Sequence, residues 1–477
     1  MKRKTLTTAL LAGLTGSVGI ANISNAVNIN PDGLGQVLLY PYYTVRNGTD
    51  TLVSVVNTTA NVKAVKVRFL EGENSREVLD FNLYMSPFDV WTAAVTNDDA
   101  VGGARILTTD NSCTVPAIPE GGQQFLRYAY TGGSADGGGT TFDRTREGHI
   151  EMIEMGTVHN TSNGSWATDA THVAGVPADC DALVASWNGG YWDTTNSDDG
   201  ISPPGGGLFG GASLIQVLAG FDVGYNADAL DAFSGESLHF APGSVLPNLN
   251  NQTDGFGGHQ SIVFNDGGVV TSDWPRGVDA VSALYMHDTI MNEYVLDDAT
   301  LSGTDWVMNF PTKAFYVDPP TSGSNAAIPP FTSVFDEFED GTACEPISLT
   351  FWDREERQPS GPGLGFSPPA PGPQGNALCW EDTIVTFDNS SVLGSALQEN
   401  VNPGDVGFQH GWMRISFDDS GNSFQSNDGD VYNGLPVTGF AVQTFTNGTL
   451  TDDEGNAVLS NYAGLFGHRN TRDISGT

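Results

Sequence analysis

Short apolar runs separated by turn-forming residues dominate the N-terminal third of the chain. In Val65–Phe69 apolar and charged residues alternate, which is the pattern of a half-buried strand. The predicted strands are Gln36–Val45, Leu52–Thr58, Val65–Leu70, Val78–Tyr84 and Val90–Val95, with Phe125–Tyr130 and His149–Met155 beyond a first loop. Repeated short strands of this kind are typical of an antiparallel sandwich. We therefore predict a mainly β protein with an immunoglobulin-like β-sandwich domain at residues 27–160.

The pattern changes between residues 161 and 300, which we predict to be a mixed α/β region. Ala182–Trp187 precedes two glycines, as expected of a short helix that glycine ends. Ser213–Leu218 has the composition of a strand. In Pro275–Leu296 apolar residues recur at helical spacing, so this segment predicts one amphipathic helix packed on a sheet.

Strand patterns return in residues 301–477, which predict a C-terminal β-rich domain. The predicted strands are Asp305–Asn309, Ala314–Val317, Ile347–Trp352, Thr383–Phe387, Trp412–Phe417 and Val437–Thr444. Two proline-rich stretches, Pro319–Pro330 and Pro359–Pro373, separate them, and we interpret the second as a surface loop within one domain. The whole chain thus predicts a sandwich domain followed by a larger β-rich part with a few helices.

The N-terminus has the pattern of a signal peptide. Lys2, Arg3 and Lys4 precede an uncharged, modestly apolar stretch, and small residues end at Ala26, where we predict cleavage. The sequence after residue 26 contains no run of 18 apolar residues, so we expect no transmembrane segment after signal removal. The expected location is exported: periplasmic, cell-surface or extracellular.

Acidic residues dominate the charge of the chain. Asp and Glu number 57 against 19 Lys and Arg, which gives a formal charge of −38, or −41 once the three cations of the signal peptide are removed. This balance excludes a nucleic-acid partner, because such proteins need a basic surface. Charged residues are nevertheless only 16% of the chain, and many of the acids fall in loops rich in Gly, Asn and Ser. Such loops suit saline surroundings or divalent cations.

The four cysteines predict two disulfides, since the count is even and the chain is exported. Of the three possible pairings we favour Cys113–Cys180 and Cys344–Cys379, because each pair stays within one predicted region. A zinc site is the alternative, but no pair of cysteines has the close spacing that zinc sites use.

Carboxylates beside tryptophans are the strongest candidates for catalysis. Asp353 and Glu356 directly follow a predicted strand that ends at Trp352, and Glu381 follows Trp380. Two carboxylates and an aromatic platform are what a glycosidase needs, and the same surface without catalysis would suit a lectin. The alternative is that these acids only pair with Arg354 and Arg357.

Acidic loops also supply the oxygen ligands that calcium prefers. The candidate ligands are Asp336, Glu337, Glu339, Asp340, Asp418, Asp419, Asp428 and Asp430. None of these loops matches the calcium loop of an EF-hand, and solvated acidic loops are the alternative. Calcium is the single cofactor that the sequence suggests.

Sequence motifs of common enzymes are absent. There is no GxSxG elbow, no HExxH and no phosphate-binding loop. The runs Gly-Gln-Val-Leu-Leu-Tyr-Pro-Tyr-Tyr-Thr-Val at 35–45 and Leu-Val-Ser-Val-Val-Asn-Thr-Thr at 52–59 resemble a family of exported Gram-negative bacterial proteins without an assigned activity. Phe310–Lys313 and Leu435–Phe440 fit the same pattern. The resemblance implies export and brings no catalytic residues.

Three functions remain open at this point. The first is an exported, non-enzymatic binding or structural protein, stabilised by calcium in its acidic loops. The second is a carbohydrate-active enzyme or lectin that uses the carboxylates near Trp352 and Trp380. The third is a self-assembling subunit of a surface layer or filament. The corresponding partners are an extracellular glycan or a second copy of the chain.

Overall fold

The computed structural model describes residues 26–336, 341–358, 376–417, 421–446, 450–458 and 460–476. Apart from Ala26, the predicted signal peptide lies outside these ranges. Among the helices that are described, none combines the length and the apolar character needed to cross a lipid bilayer.

The elements follow in chain order. The first ten strands are β1 (Asn28–Ile29), β2 (Val37–Thr44), β3 (Thr49–Asn57), β4 (Val62–Glu71), β5 (Glu77–Met85), β6 (Val90–Asp98), β7 (Gly103–Leu107), β8 (Cys113–Val115), β9 (Gln123–Gln124) and β10 (Glu147–Val158). The next ten are β11 (His172–Val173), β12 (Val176–Pro177), β13 (Ile201–Ser202), β14 (Leu208–Gln216), β15 (Phe221–Asn226), β16 (Asp228–Asp231), β17 (His259–Asn265), β18 (Gly268–Trp274), β19 (Met286–His287) and β20 (Thr289–Val295).

The C-terminal strands are β21 (Gly303–Asn309), β22 (Glu345–Asp353), β23 (Asn376–Leu378), β24 (Asp382–Phe387), β25 (Gln398–Val401), β26 (His410–Ser416), β27 (Ser423–Gln425), β28 (Val431–Asn433), β29 (Leu435–Pro436), β30 (Thr438–Thr446), β31 (Leu450–Thr451), β32 (Ala457–Val458), β33 (Asn461–Gly467), β34 (Arg469–Thr471) and β35 (Asp473–Ser475). The α-helices are α1 (Trp166–Ala170), α2 (Cys180–Trp187), α3 (Tyr191–Thr194), α4 (Gly277–Tyr285), α5 (Ala314–Val317) and α6 (Pro319–Ser322).

Two antiparallel sheets form a first sandwich. The eight-stranded sheet has the order β1-β16-β2-β10-β4-β5-β8, with β13 beside β10, and the six-stranded sheet has the order β15-β14-β3-β6-β7-β9. Side chains from alternate positions of both sheets fill the space between them, among them Val55, Phe81, Trp91 and Ile150. Strands β13 to β16 complete both sheets, so the chain returns to this sandwich after residue 200.

Two further sheets form a second sandwich. Their orders are β23-β22-β26-β20-β34 and β25-β24-β21-β30-β33. Trp306, Met308, Val385 and Met413 lie in the core between them. The other side of the second sheet packs on the first sandwich, where Tyr225 and Phe440 stack with ring centroids 5.0 Å apart. These sheets confirm the mainly β, antiparallel sandwich architecture, while immunoglobulin-like topology and the expected domain boundaries remain predictions.

Charged side chains on the outer side of the eight-stranded sheet are covered rather than solvated. The pattern of Val65–Phe69 predicts a half-buried strand, but every residue of β4 is buried. Lys66 pairs with Asp80, and Arg68 pairs with Glu77 and Glu151. The alternation is therefore real, but the charged side of the strand faces other buried charges and not water.

A group of ion pairs, which we call the charged seam, joins the first sandwich to the C-terminal part. Arg144 binds Glu71 and Asp136, and Arg76 binds Asp136 and Asp318. Asp318 precedes α6, whereas the other four residues belong to the first sandwich and its loops. Because these groups are largely removed from water, each depends on its partner for charge compensation.

Both predicted disulfides form. Cys113 on β8 joins Cys180 at the start of α2, and Cys344 joins Cys379 beside the start of β22. The first bridge fastens the predicted short helix to the eight-stranded sheet, and the Asp179 side chain caps that helix by accepting from the Ala182 amide. All four cysteines are used, so none is left to bind zinc.

Three local predictions were wrong. Pro275–Leu296 is not one helix, because α4 ends at Tyr285 and residues 289–295 form β20, which pairs with β26 and β34. Ala314–Val317 forms α5 and not a strand. Phe125–Tyr130 contains a short 3₁₀ turn at its end. The last two patterns span only four to six residues, and in all three segments the tertiary surroundings outweigh the local pattern.

Candidate binding groove

One side of the six-stranded sheet faces solvent and carries apolar side chains. Along β3 the residues alternate, with Val53 and Val55 in the core and Leu52 42% exposed on the other side. Along β14 Leu208 and Leu214 are buried while Phe209 is 43% exposed. The alternation that builds the core thus also places a second, outward-facing set of side chains on this sheet.

Strand register aligns these outward side chains in rows that cross the sheet. The central row holds hydroxyl, amide and glycine positions: Thr92, Ser54, Gly211 and Asn226. On one side lies a row of Leu107, Ala94, Leu52, Ser213 and Gly224. On the other side lies a row of Val90, Val56 and Phe209. A polar floor therefore runs between two more apolar walls.

The small side chains of the floor leave a cavity of about 850 Å³, which we call the groove. The two flanking rows are four residues apart on β3, which corresponds to roughly 13 Å, and Phe209 is the member of the second row that lines the cavity. Five strands, from β7 to β15, set its length at roughly 19 Å. The groove is thus an open channel across the strands and not a closed pocket.

Buried tyrosines support the floor from beneath. The Tyr40 hydroxyl donates to the Ser54 carbonyl at 2.7 Å, and the Tyr225 hydroxyl donates to the Tyr42 carbonyl. Gly210 makes this approach possible, because a Cβ at this position would collide with the Tyr40 hydroxyl and the Ser54 carbonyl. Burial raises the pKa of Tyr225 far above its usual value, so this ring remains neutral.

The groove is nearly free of charge. Among the described residues that line it, Glu120 at the rim is the single carboxylate, and no lysine or arginine is present. Backbone groups of β3 and β14 are already engaged on both sides of each strand in the sheet ladders. The floor can therefore offer a ligand side-chain hydroxyls, an amide and apolar contacts, and little else.

The catalytic candidates lie in two different places. Asp353 ends β22 and accepts from the Arg357 amide at 2.7 Å and from its guanidinium, and Glu356 lies in the same turn. Glu381 lies at the opposite end of β22, next to the strand start at Glu345. The length of β22 separates the two locations by roughly 26 Å, so the structure does not bring these carboxylates together as an acid–base pair.

Glu381 is a buried group beside a buried lysine. Burial raises the pKa of Glu381 well above its usual range, and Lys313 opposes this rise without cancelling it. Burial also lowers the pKa of Lys313 to about 8, although the charges of Glu381 and Glu345 oppose this shift. Glu345 and Glu381, each next to a cysteine of the second disulfide or one residue beyond, thus both act on Lys313.

The described calcium candidates already have protein partners. Asp430 accepts from the Ser272 hydroxyl at 2.8 Å, and Asp428 accepts from the Asp273 amide at 3.1 Å. Asp336 forms a bridge with Thr342. Glu337, Glu339, Asp340, Asp418 and Asp419 lie outside the described residues. Within the described part of the chain no three potential metal ligands come together.

Sequence reasoning missed the groove. The four residues of its floor come from four strands, of which β14 and β15 form a hairpin while β3 and β6 lie more than 100 residues earlier, so no local motif marks them. The available signal was the pair Gly210-Gly211 inside a strand pattern, since glycine within a strand often marks a close backbone approach.

Comparisons with models of protein families, with curated proteins and with solved structures find no match to this chain. The residues of the groove are therefore the basis for inferring which ligand it binds.

Proposed function

We propose that this chain is an exported, non-enzymatic binding protein whose groove holds an uncharged glycan chain. The observation that carries the proposal is the row of Thr92, Ser54, Gly211 and Asn226 between two apolar walls. Hydroxyl and amide groups match the hydroxyls of a sugar, while apolar walls match the C–H surfaces of its rings. The two disulfides fit the oxidising compartment that export implies.

A peptide fits the groove less well than a glycan. Peptides that bind β-sheets usually pair with the backbone of an edge strand. Of the strands of the groove floor, β6, β3 and β14 are paired on both sides, and β15 at one end of the groove is the edge strand of the sheet. The groove also lacks the charged groups that would read the side chains of a peptide.

A second copy of the chain also fits the groove poorly. The groove covers roughly 13 by 19 Å, or about 250 Å², whereas a stable interface buries about 800 Å² on each partner. Self-repulsion between chains of formal charge −38 further opposes contact between copies. A narrow linear ligand fits these dimensions better.

An enzymatic function has no support in the placement of the candidate carboxylates. Asp353 and Glu381 lie at opposite ends of β22. Glu356 shares a turn with Asp353, but Glu356 is exposed and Asp353 is held by Arg357. Glycosidases need their two carboxylates within about 10 Å of each other. The proposal is therefore binding without turnover.

Affinity electrophoresis of the mature chain through gels that contain neutral polysaccharides tests the proposal. Hydroxyethyl cellulose, laminarin, dextran and mannan serve as probes. Thr92→Trp fills the groove from an exposed position, and Thr140→Trp is the matched control in an exposed loop. We expect at least one polysaccharide to retard the wild type and the control, but not Thr92→Trp.

Two results contradict the proposal. The first is equal mobility in every gel with and without polysaccharide. The second is a concentration-dependent dimer in sedimentation that Thr92→Trp abolishes, because that result makes the groove a contact between copies.

A further inference from the structure

A second outward-facing sheet carries a different chemistry. In the sheet β23-β22-β26-β20-β34 the inner side packs Ile290, Met413 and Ile415 into the core. On the outer side, register places Trp352, Trp412 and Glu293 in one row. The next row holds Thr350, Arg414, Met291 and Arg469. We call these seven residues the Trp-Arg face.

The two tryptophans form a platform. Their rings stack with centroids 4.0 Å apart and an angle of 10° between the ring planes. Trp412 is 37% exposed, and within the described residues its ring meets no other aromatic side chain. The Arg414 guanidinium lies over the Trp352 ring, 5.5 Å from its centroid. An exposed, rigid aromatic surface of this kind suits the apolar face of a sugar ring.

Arg414 and Arg469 are unusual cations for this chain. Both are exposed, and within the described residues neither has a carboxylate at ion-pair distance. Most other described arginines, such as Arg68, Arg144 and Arg357, are held by carboxylates, whereas Arg127 and Arg472 donate to backbone carbonyls. Two strand spacings separate β26 from β34, so these two cations are about 10 Å apart along the sheet.

We infer that the Trp-Arg face binds a glycan that carries carboxylates, that is, one containing uronic acid residues. A sugar ring stacks on Trp412 while its carboxylate pairs with Arg414, and Arg469 receives a second carboxylate further along the chain. Arginine suits this role because its planar guanidinium binds a carboxylate through two hydrogen bonds.

The net charge of the protein further restricts which class of ligand the Trp-Arg face can bind. A chain of formal charge −38 repels dense polyanions such as nucleic acids and anionic membranes, and two arginines do not overcome that repulsion. Glu293, exposed in the row of Trp412, adds to the repulsion of closely spaced charges. A glycan with about one carboxylate per sugar carries a lower charge density and fits better.

This site is independent of the groove. It lies on another sheet of the other sandwich and shares no residue with the groove. Failure of one binding assay therefore leaves the other proposal standing.

Isothermal titration with defined oligosaccharides tests the inference. The probes are oligogalacturonate, oligomannuronate and the methyl ester of the oligogalacturonate, which lacks the charge. The variants are Arg414→Met and Trp412→Ala on the Trp-Arg face, with Arg354→Met as a matched control on an exposed arginine and Thr92→Trp as the groove control.

We expect saturable binding of at least one of the two acidic oligosaccharides by the wild type. Arg414→Met and Trp412→Ala each weaken that binding about tenfold, while Arg354→Met and Thr92→Trp leave it unchanged. The methyl ester binds the wild type about tenfold more weakly than the acid, and Arg414→Met removes this difference.

Several results overturn the inference. The first is that the wild type shows no saturable binding of either acidic oligosaccharide. The second is that Arg414→Met binds the acid as tightly as the wild type does. The third is that Thr92→Trp loses binding of the acid, because that result assigns the ligand to the groove. Because Trp412 and Arg414 are exposed, the circular dichroism of both variants is expected to match the wild type.

Discussion

The substitution Arg144→Met tests how much the charged seam contributes to the stability of the protein. The Arg144 side chain is 1% exposed and lies 2.6 Å from Glu71 and 2.7 Å from Asp136. Methionine preserves most of the apolar volume but leaves the buried Glu71 without its cation and leaves Asp136 with Arg76 alone. Breaking a buried ion pair in this way costs about 3–5 kcal/mol, because the remaining charge is neither hydrated nor compensated.

Arg354→Met is the matched control. The Arg354 side chain is 68% exposed and pairs with Glu355, which is 55% exposed. An exposed pair of this kind contributes about 0–1 kcal/mol. The same substitution therefore separates the loss of a buried charge from any general effect of methionine.

The pH dependence of Arg144→Met has a defined sign. Burial raises the pKa of Asp136, but hydrogen bonds and charge from Arg144 outweigh this effect, so its pKa lies below the usual range. Its stabilising contribution in the wild type is present above about pH 4 and lost as the pH falls through the lowered pKa. Without Arg144 only Asn74 and Arg76 still oppose the effect of burial, so the pKa of Asp136 rises, the carboxyl becomes protonated more easily and the deficit shrinks toward acid.

Urea unfolding followed by tryptophan fluorescence measures these differences. We expect Arg144→Met to lower the free energy of unfolding by about 4 kcal/mol at pH 8 and by less at pH 5. Arg144→Lys, which retains the charge, loses less. The reasoning is refuted if the free energies of unfolding of Arg144→Met and Arg354→Met differ by less than about 1 kcal/mol at pH 8.

Three further predictions follow from the buried groups and close contacts. Burial raises the pKa of Asp305 to about 6, so its contribution to stability is present below about pH 4 and lost as the pH rises through 6. Because pH 5 lies one unit below this pKa, Asp305→Asn should gain about 1.4 kcal/mol relative to wild type between pH 5 and pH 8 in urea unfolding, and an unchanged difference contradicts this. Replacing Cys113 and Cys180 by alanine opens a loop of 67 residues and should cost about 4 kcal/mol relative to the oxidised wild type in urea unfolding. The reduced wild type, which loses both bridges, should be less stable than this variant, and a variant as stable as the oxidised wild type contradicts the prediction. Gly210→Ala forces a methyl group against the Tyr40 hydroxyl beneath the groove and should lower the free energy of unfolding by about 1–3 kcal/mol. Gly121→Ala is the control, because its methyl group meets open space and should cost less than about 0.5 kcal/mol. Equal melting temperatures of the two variants would count against the close approach at Gly210.

The sequence predicted strands well where alternation extends over several residues. The strands predicted at Gln36–Val45 and Val78–Tyr84 differ by a residue or so from β2 and β5. Prediction failed at Pro275–Leu296, because helical spacing and the alternation of β20 overlap in the same apolar residues. Pairing of β20 with neighbours from distant parts of the chain decided the outcome.

Charge burial and the groove could not be predicted for a related reason. The alternation at Lys66 and Arg68 correctly indicates a strand, but it does not reveal that another layer covers the charged side. Likewise, Ser54 and Asn226 become neighbours in the groove only through the register of β3, β14 and β15. Local patterns specify which side of a strand is apolar, whereas the partners of each side depend on the assembled fold.

The two outward-facing sheets of this acidic protein present different kinds of side chains to solvent. The groove is neutral and bounded by Leu52 and Phe209, while the Trp-Arg face combines Trp412 with Arg414. Both are built on strands whose inner sides form the cores, so their geometry is held by the packing of the sandwiches. Rigid elements of this kind suit binding because little ordering is needed when the ligand arrives.

The affinity of the groove for a neutral oligosaccharide is the most direct measurement of the central claim. Isothermal titration compares the mature wild type, Thr92→Trp and Thr140→Trp with an oligosaccharide from the polysaccharide that retards the wild type most. We predict that Thr92→Trp loses at least about tenfold in affinity while Thr140→Trp binds as the wild type does. Equal dissociation constants for all three proteins would contradict the account.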